Sequence, residues 1–231
     1  MRYHRLFRNP GPEGYFLDTT VETGVATVSG QYVAWGDGFF DFDNDGWKDI
    51  FVVNGGLHWM VPMEDSLHRN NGNGTFTDVS RQAGGYFQTK QIGRGACFAD
   101  YDNDGLWDAF IVNLGTKGML LRNNPPASGR NHWLTLKLVG TKSNRDGYGA
   151  RIEAVAGDLK QSIESVSHSG YLSQCDPRPH LGLGHHGEVD RLTINWPSGV
   201  VQVLENVKAD QILSVNEPAD AARTTAAKGA K

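Results

Sequence analysis

The sequence predicts an all-β chain in two parts: a partial β-propeller of little more than two blades, then a small β-sandwich or barrel. Three observations carry this. Glycine supplies 29 of 231 residues, which implies frequent turns between short segments. A unit of about 60 residues recurs through the first half. In the second half the repeat stops and strict apolar alternation takes over.

The repeat can be followed element by element. Leu6-Phe7-Arg8-Asn9 and Gly14-Tyr15-Phe16-Leu17-Asp18 read as the two closing strands of one unit. The second unit is complete, with strands expected at 32–40, 48–54, 66–70 and 75–80. Setting Asp41 against Asp100 aligns Gly36 with Gly95, Phe39 with Phe98, Phe51 with Phe110 and Asn54 with Asn113. A second element follows each loop, Leu67 to Asn71 and Leu120 to Asn124, so a third unit runs to that point without its fourth strand. Four short strands per unit are a propeller blade, but this number of blades cannot close a ring. Either the chain is a fragment of a larger ring or its blades stack on something else.

Acidic residues are concentrated. Of 18 Asp, eight stand in two nine-residue windows: Asp41, Asp43, Asp45 and Asp49, and Asp100, Asp102, Asp104 and Asp108. Without them the net charge of −4 becomes +4, so the negative charge is local. Four carboxylates this close repel unless neutralised. The pattern D-x-D-x-D-G-x-x-D suits a hard cation that takes six to eight oxygen ligands. Alternate Asp side chains turn inward, Gly46 or Gly105 allows the sharp turn, and Trp47 or Leu106 offers a backbone carbonyl. Asp49 or Asp108 closes the cage. Two Ca²⁺ ions would bring the formal charge of the whole chain from −4 to zero. An EF-hand is excluded: its twelfth position falls on Val52 and Ile111, and the flanks 50–54 and 109–113 read as buried strands, not helices.

Residues 124–129 form a Pro/Gly/Ser break, and 125–130 reads as a linker. Beyond it, alternation at Leu134, Leu136 and Leu138, at Leu192, Ile194 and Trp196, at Val201 and Val203, and at Ile212 predicts half-buried strands. Segments 150–155 and 161–166 add two more, giving a β domain over 131–217. The Ala-rich end, 218–231, reads as a disordered tail.

With these residues in view, the first half (1–124) resembles the FG-GAP/VCBS-type repeats of calcium-binding propellers, on its aspartate loops and on Arg69-Asn70-Asn71-Gly72 through Phe76. The resemblance implies that the loop between the first two strands of each blade binds calcium. Such propellers usually have about seven blades, and this chain departs from that. The second half resembles the ASPIC/UnbV domain, on Asn144 through Arg151, Ser169 through Gln174, Leu181 through Gly184, Val189 through Leu192 and Trp196 through Gly199. The order of the two resembles the cartilage acidic protein family and its bacterial relatives, some encoded beside enediyne biosynthesis genes. That implies a secreted or periplasmic calcium-binding protein and no particular reaction. The Cys-rich tail of the vertebrate members has no counterpart among two cysteines.

Other classes are disfavoured. No apolar run approaches the length of a membrane span. Met1 to Arg5 carries charge without an apolar stretch, so no signal peptide is encoded here. No basic stripe points to nucleic acid. His168, His180, His185 and His186 invite a zinc reading, but His185 and His186 on a strand would face opposite ways, and a Gly-rich turn is the preferred setting. Cys97 reads as a small buried side chain, and a bond to Cys175 would have to bridge the two halves. Ser169 and Ser198 lack the surroundings of a nucleophile elbow. Trp35, Trp47, Trp59 and Trp107 read as blade core and rim in preference to a sugar-binding face. The expected function is a non-enzymatic, calcium-stabilised module that recognises a protein or glycan. The alternative is an enzyme or accessory protein in secondary metabolism of the enediyne type. The open propeller edges are expected to favour self-association.

Overall fold

A computed structural model of the chain describes residues 4–12, 14–26, 32–57, 60–124, 129–166, 170–219 and 225–226. Nearly all regular structure is β, in several small sheets of which none closes on itself. An N-terminal pair, β1 (Phe7–Arg8) and β2 (Leu17–Asp18), is antiparallel. The full blade is an antiparallel meander of β3 (Ala34–Phe40), β4 (Asp49–Asn54), β5 (Ser66–Asn70) and β6 (Phe76–Asp78). After a 3₁₀ turn at Gly85–Gln88 comes a three-stranded blade, β7 (Gly93–Ala99), β8 (Asp108–Asn113) and β9 (Met119–Leu121). The repeat is preserved in register: Phe40 pairs with Asp49 as Ala99 pairs with Asp108, and Gly38 with Phe51 as Cys97 with Phe110.

Packing explains why the same apolar run serves two fates. In β4 every residue is buried. Phe51 and Val53 join Phe40, Phe98, Ala109 and Ile111 in a core between the two blades, where the Phe40 and Phe98 rings stack at 4.6 Å. Ile50 and Val52 face the other way, against Val25, Leu6 and Phe76 of the N-terminal segment and β6. In β8 only one face is covered: Ala109 and Ile111 are buried, while Phe110 and Val112 are exposed. Phe110 is the counterpart of Phe51, so its bare face is the one a following blade would cover.

The second half contains β10 (His132–Val139), β11 (Arg151–Ala156), β12 (Leu159–Glu164), β13 (His180–Gly184), β14 (Glu188–Asn195), β15 (Val201–Lys208) and β16 (Gln211–Asn216). They form two sheets, β13-β10-β16 and β12-β11-β14-β15, the latter edged by β17 (Thr225–Ala226). Leu134, Leu136, Ile152, Leu181, Leu192, Ile194 and Val207 fill the core between them. Two expected registers are corrected. Val203 is buried as expected, but Val201 and Ile212 are exposed, and the residues that face the sandwich core are Leu204 on β15, beside the buried Gln202, and Leu213 and Val215 on β16. The buried Gln202 accepts the Trp196 indole N–H at 3.0 Å, and a satisfied buried amide looks like a solvent-facing residue in sequence. Most of the expected linker and tail lies outside the described residues, as do Trp59, His168 and Ser169.

Candidate metal centre

The two aspartate loops are turns between the first two strands of each blade, β3–β4 and β7–β8. Asn44 and Gly46 take left-handed backbone angles, φ 58° and 95°, and Asn103 and Gly105 repeat them at 59° and 85°. Asn and Gly are the residues that adopt this region at least strain. Carboxylates hold the turns together. Asp41 accepts the amides of Asp45 (3.1 Å) and Gly46 (2.8 Å), and Asp100 those of Asp104 (2.9 Å) and Gly105 (2.9 Å). Asp49 accepts the amides of Phe42 and Asn70, and Asp108 those of Tyr101 and Asn123.

Two trios bring carboxylate oxygens within 4.8 Å of one another: Asp41, Asp43 and Asp45, and Asp100, Asp102 and Asp108. Asp49 and Asp104 lie outside these trios. Burial pushes the Asp41 carboxyl well above the usual range and Asp49 up to about 7, against the pull of their backbone hydrogen bonds. Burial also raises Asp45, Asp100 and Asp108. Neighbouring carboxylates add to each of these shifts. Arginines contribute part of the missing positive charge: Arg69 reaches Asp43 (2.7 Å) and Asp45 (3.0 Å), and Arg122 reaches Asp102 (2.9 Å) and Asp104 (3.5 Å). Both arginines sit in the repeated Arg-Asn-Asn element, so their recurrence was visible in sequence, although their target was not. The donor set is all oxygen, which fits a hard divalent cation.

Residues 41–111 match the FG-GAP-like repeat family, and residues 140–222 match the ASPIC and UnbV family. The two halves match two different families. Cartilage acidic protein 1 of Mus musculus is 24% identical over 185 residues, which cover 77% of this chain and 27% of the relative. The Homo sapiens protein is 25% identical over the same length and shares, and that of Xenopus tropicalis 25% over 166 residues, 70% of this chain and 25% of its own. The chain thus spans about a quarter of the length of these curated relatives.

The ASPIC/UnbV-like half is seated on both loops of the FG-GAP-like half. Asn44, buried between them, donates to the Gly105 carbonyl of the other loop (2.8 Å) and accepts from His180 Nε2 (2.8 Å), while its own carbonyl accepts the Gly184 amide (2.8 Å). That arrangement places the His180 proton on Nε2, so Nδ1 accepts the Thr135 hydroxyl at 2.7 Å. Burial pushes His180 down to about 3, so the ring is neutral; it stacks on Trp133 and meets Trp107 edge-on. Arg178, paired with Asp176, donates to Asn103 Oδ1 (2.7 Å) and to the Asp100 carbonyl (3.0 Å). Asn131 donates to the Asp43 carbonyl (2.9 Å), and Arg130 to Asp104. None of these partners was singled out as a loop contact from sequence, because each is an ordinary polar residue until the halves meet.

The remaining sequence expectations are placed as follows. Cys97 and Cys175 are not joined by a disulfide, and their thiols meet across this seam; burial and the adjacent Cys175 push Cys97 up to about 11. Trp35 packs on Tyr171 and under Arg94, and Trp107 against Phe40, whereas Trp47 is half-exposed. His185 and His186 follow β13 in a Gly-rich turn as expected, but their rings do not diverge: the centroids lie 4.0 Å apart. The turn breaks the alternation that a strand would have imposed.

Proposed function

We propose that the chain is a calcium-stabilised, non-enzymatic module of an extracellular or periplasmic protein, built to recognise a protein or glycan. The matched geometry of the two aspartate loops, with their buried carboxylates, is the observation that carries this reading. Asp41, Asp43, Asp45, Asp49 and the Trp47 carbonyl would hold one Ca²⁺, and Asp100, Asp102, Asp104, Asp108 and the Leu106 carbonyl a second. The ions would supply charge neutralisation. The chain's own residues do the rest: Asn44 and Asn103 fix the turns, and His180 and Arg178 dock the second half on them. The FG-GAP-like match and the likeness to cartilage acidic protein 1 support the extracellular setting.

Thermal unfolding in calcium and in EDTA tests the proposal. With free calcium about 100-fold above the dissociation constant, each site adds about 2.7 kcal/mol. The Asp43→Ala, Asp102→Ala double variant is expected to lose the response. Identical melting curves in both buffers, with no calcium found by elemental analysis, would overturn the assignment.

A further inference from the structure

We propose a second, chemically distinct metal site in the ASPIC/UnbV-like half: Asp158, His185 and His186 bind a zinc-class divalent cation. Two turns meet here, Gly157-Asp158 in the β11–β12 hairpin and His185-His186-Gly187 in the connection that carries the chain from β13 in one sheet to β14 in the other. Each of the three residues presents one ligand atom, and the three atoms lie within 4.8 Å of one another. His186 Nε2 is 3.0 Å from Asp158 Oδ1, and the two imidazoles lie side by side.

The site is held in place by its surroundings. Gly157 has φ +56°, and a Cβ there would fall 2.4 Å from His186 Cε1, so the glycine makes the seat for the ring. Its amide is fixed by Asp190 at 2.8 Å. On the other turn the His186 amide donates to the Leu183 carbonyl, and the Gly187 carbonyl accepts the Ala209 amide. His186 is largely enclosed, while His185 and Asp158 open to solvent, which leaves an entry path and coordination positions for water.

The donors set the ion class. Two imidazole nitrogens and one carboxylate suit Zn²⁺, Ni²⁺ or Cu²⁺, whereas Ca²⁺ wants oxygen throughout. Three protein ligands with open positions bind more weakly than a closed four-ligand structural site, so the ion is exchangeable.

The test is a calorimetric titration of Zn²⁺ into the full chain kept in excess calcium, which occupies the oxygen sites if those bind it and competes for them in any case. Binding of about one equivalent is expected, with affinity lowered at least tenfold in His185→Ala and in His186→Gln. Co²⁺ substituted for Zn²⁺ should give visible absorption from nitrogen ligation, lost in the same variants. Zn²⁺ binding that is unchanged in the double histidine variant, or that calcium displaces, would place the ion in the aspartate loops and overturn the proposal. Absence of Zn²⁺ binding to the wild-type chain would overturn it as well. Neither result bears on the calcium response, which is read by melting in EDTA.

Discussion

Glu217 shows how one residue can hold a corner of the fold. Its carboxylate is buried and accepts the amides of Thr141 (2.7 Å), Lys142 (2.8 Å) and Ser143 (2.7 Å) and the hydroxyls of Ser143 and Ser198. Burial alone would raise its pKa, but these donors win and hold it at about 2. The folded value lies below the ordinary 4.5, so the stabilisation is complete above that value and is lost as pH falls towards about 2. Glu217→Ala should cost about 1–3 kcal/mol at neutral pH by leaving buried donors unpaired, and should flatten the acid limb of a pH–stability curve. Asn44 works through the same physics: Asn44→Ala should destabilise the seam by a similar amount, while Asn103→Ala, whose partner Arg178 keeps Asp176, should cost less. The two acidic turns between the first strands of each blade were legible in sequence because the spacing of their aspartates is itself the signal. Asn44 and Asn103 were not, since they occupy the unspecified positions of that motif and acquire their partners only when the second half docks.

At the scale of elements, repeat and alternation located the strands of the full blade to within about two residues. They could not assign faces where a buried polar residue broke the pattern, as Gln202 did on β15. Nor did alternation mark β13, whose Leu181-Gly182-Leu183-Gly184 sequence is half glycine. Its function explains its composition. A Cβ on Gly182 would lie 2.0 Å from Asp41 Oδ2 and 2.6 Å from the Asn44 Cα, so β13 approaches the first loop as closely as a backbone can. Gly182→Ala is therefore expected to push the second half off the loop while leaving its own sandwich folded. Limited proteolysis checks this: cleavage within 125–130 should accelerate in the variant, with a folded piece of about residues 131–217 surviving. A variant that resists the protease as the wild type does would count against the close seat.

For the whole molecule, the contrast between β4 and β8 sets the expected association behaviour. The inner blade is covered on both faces and the outer one is bare at Phe110, Val112 and Leu120. We expect the purified chain to self-associate in light scattering with rising concentration, and Phe110→Glu to reduce the effect without lowering the melting temperature. A monomer at every concentration would mean that this face needs no cover. The two-part architecture was readable from the change of periodicity near residue 125. The mutual seating of the parts was not, because residues 44 and 180 are joined by no pattern along the chain.

That seating also bears on time. The second half roofs the turns that carry Asp41 and Asp100, with Leu159 against Gly46, Trp133 against Gly105 and Gly182 against Asp41. If the loops hold calcium as proposed, an ion beneath such a roof would leave no faster than the roof lifts, and its residence would be a clock for the parting of the halves. Chelator-driven release followed by stopped flow should then be slow and independent of chelator concentration, and Gly182→Ala should make it fast.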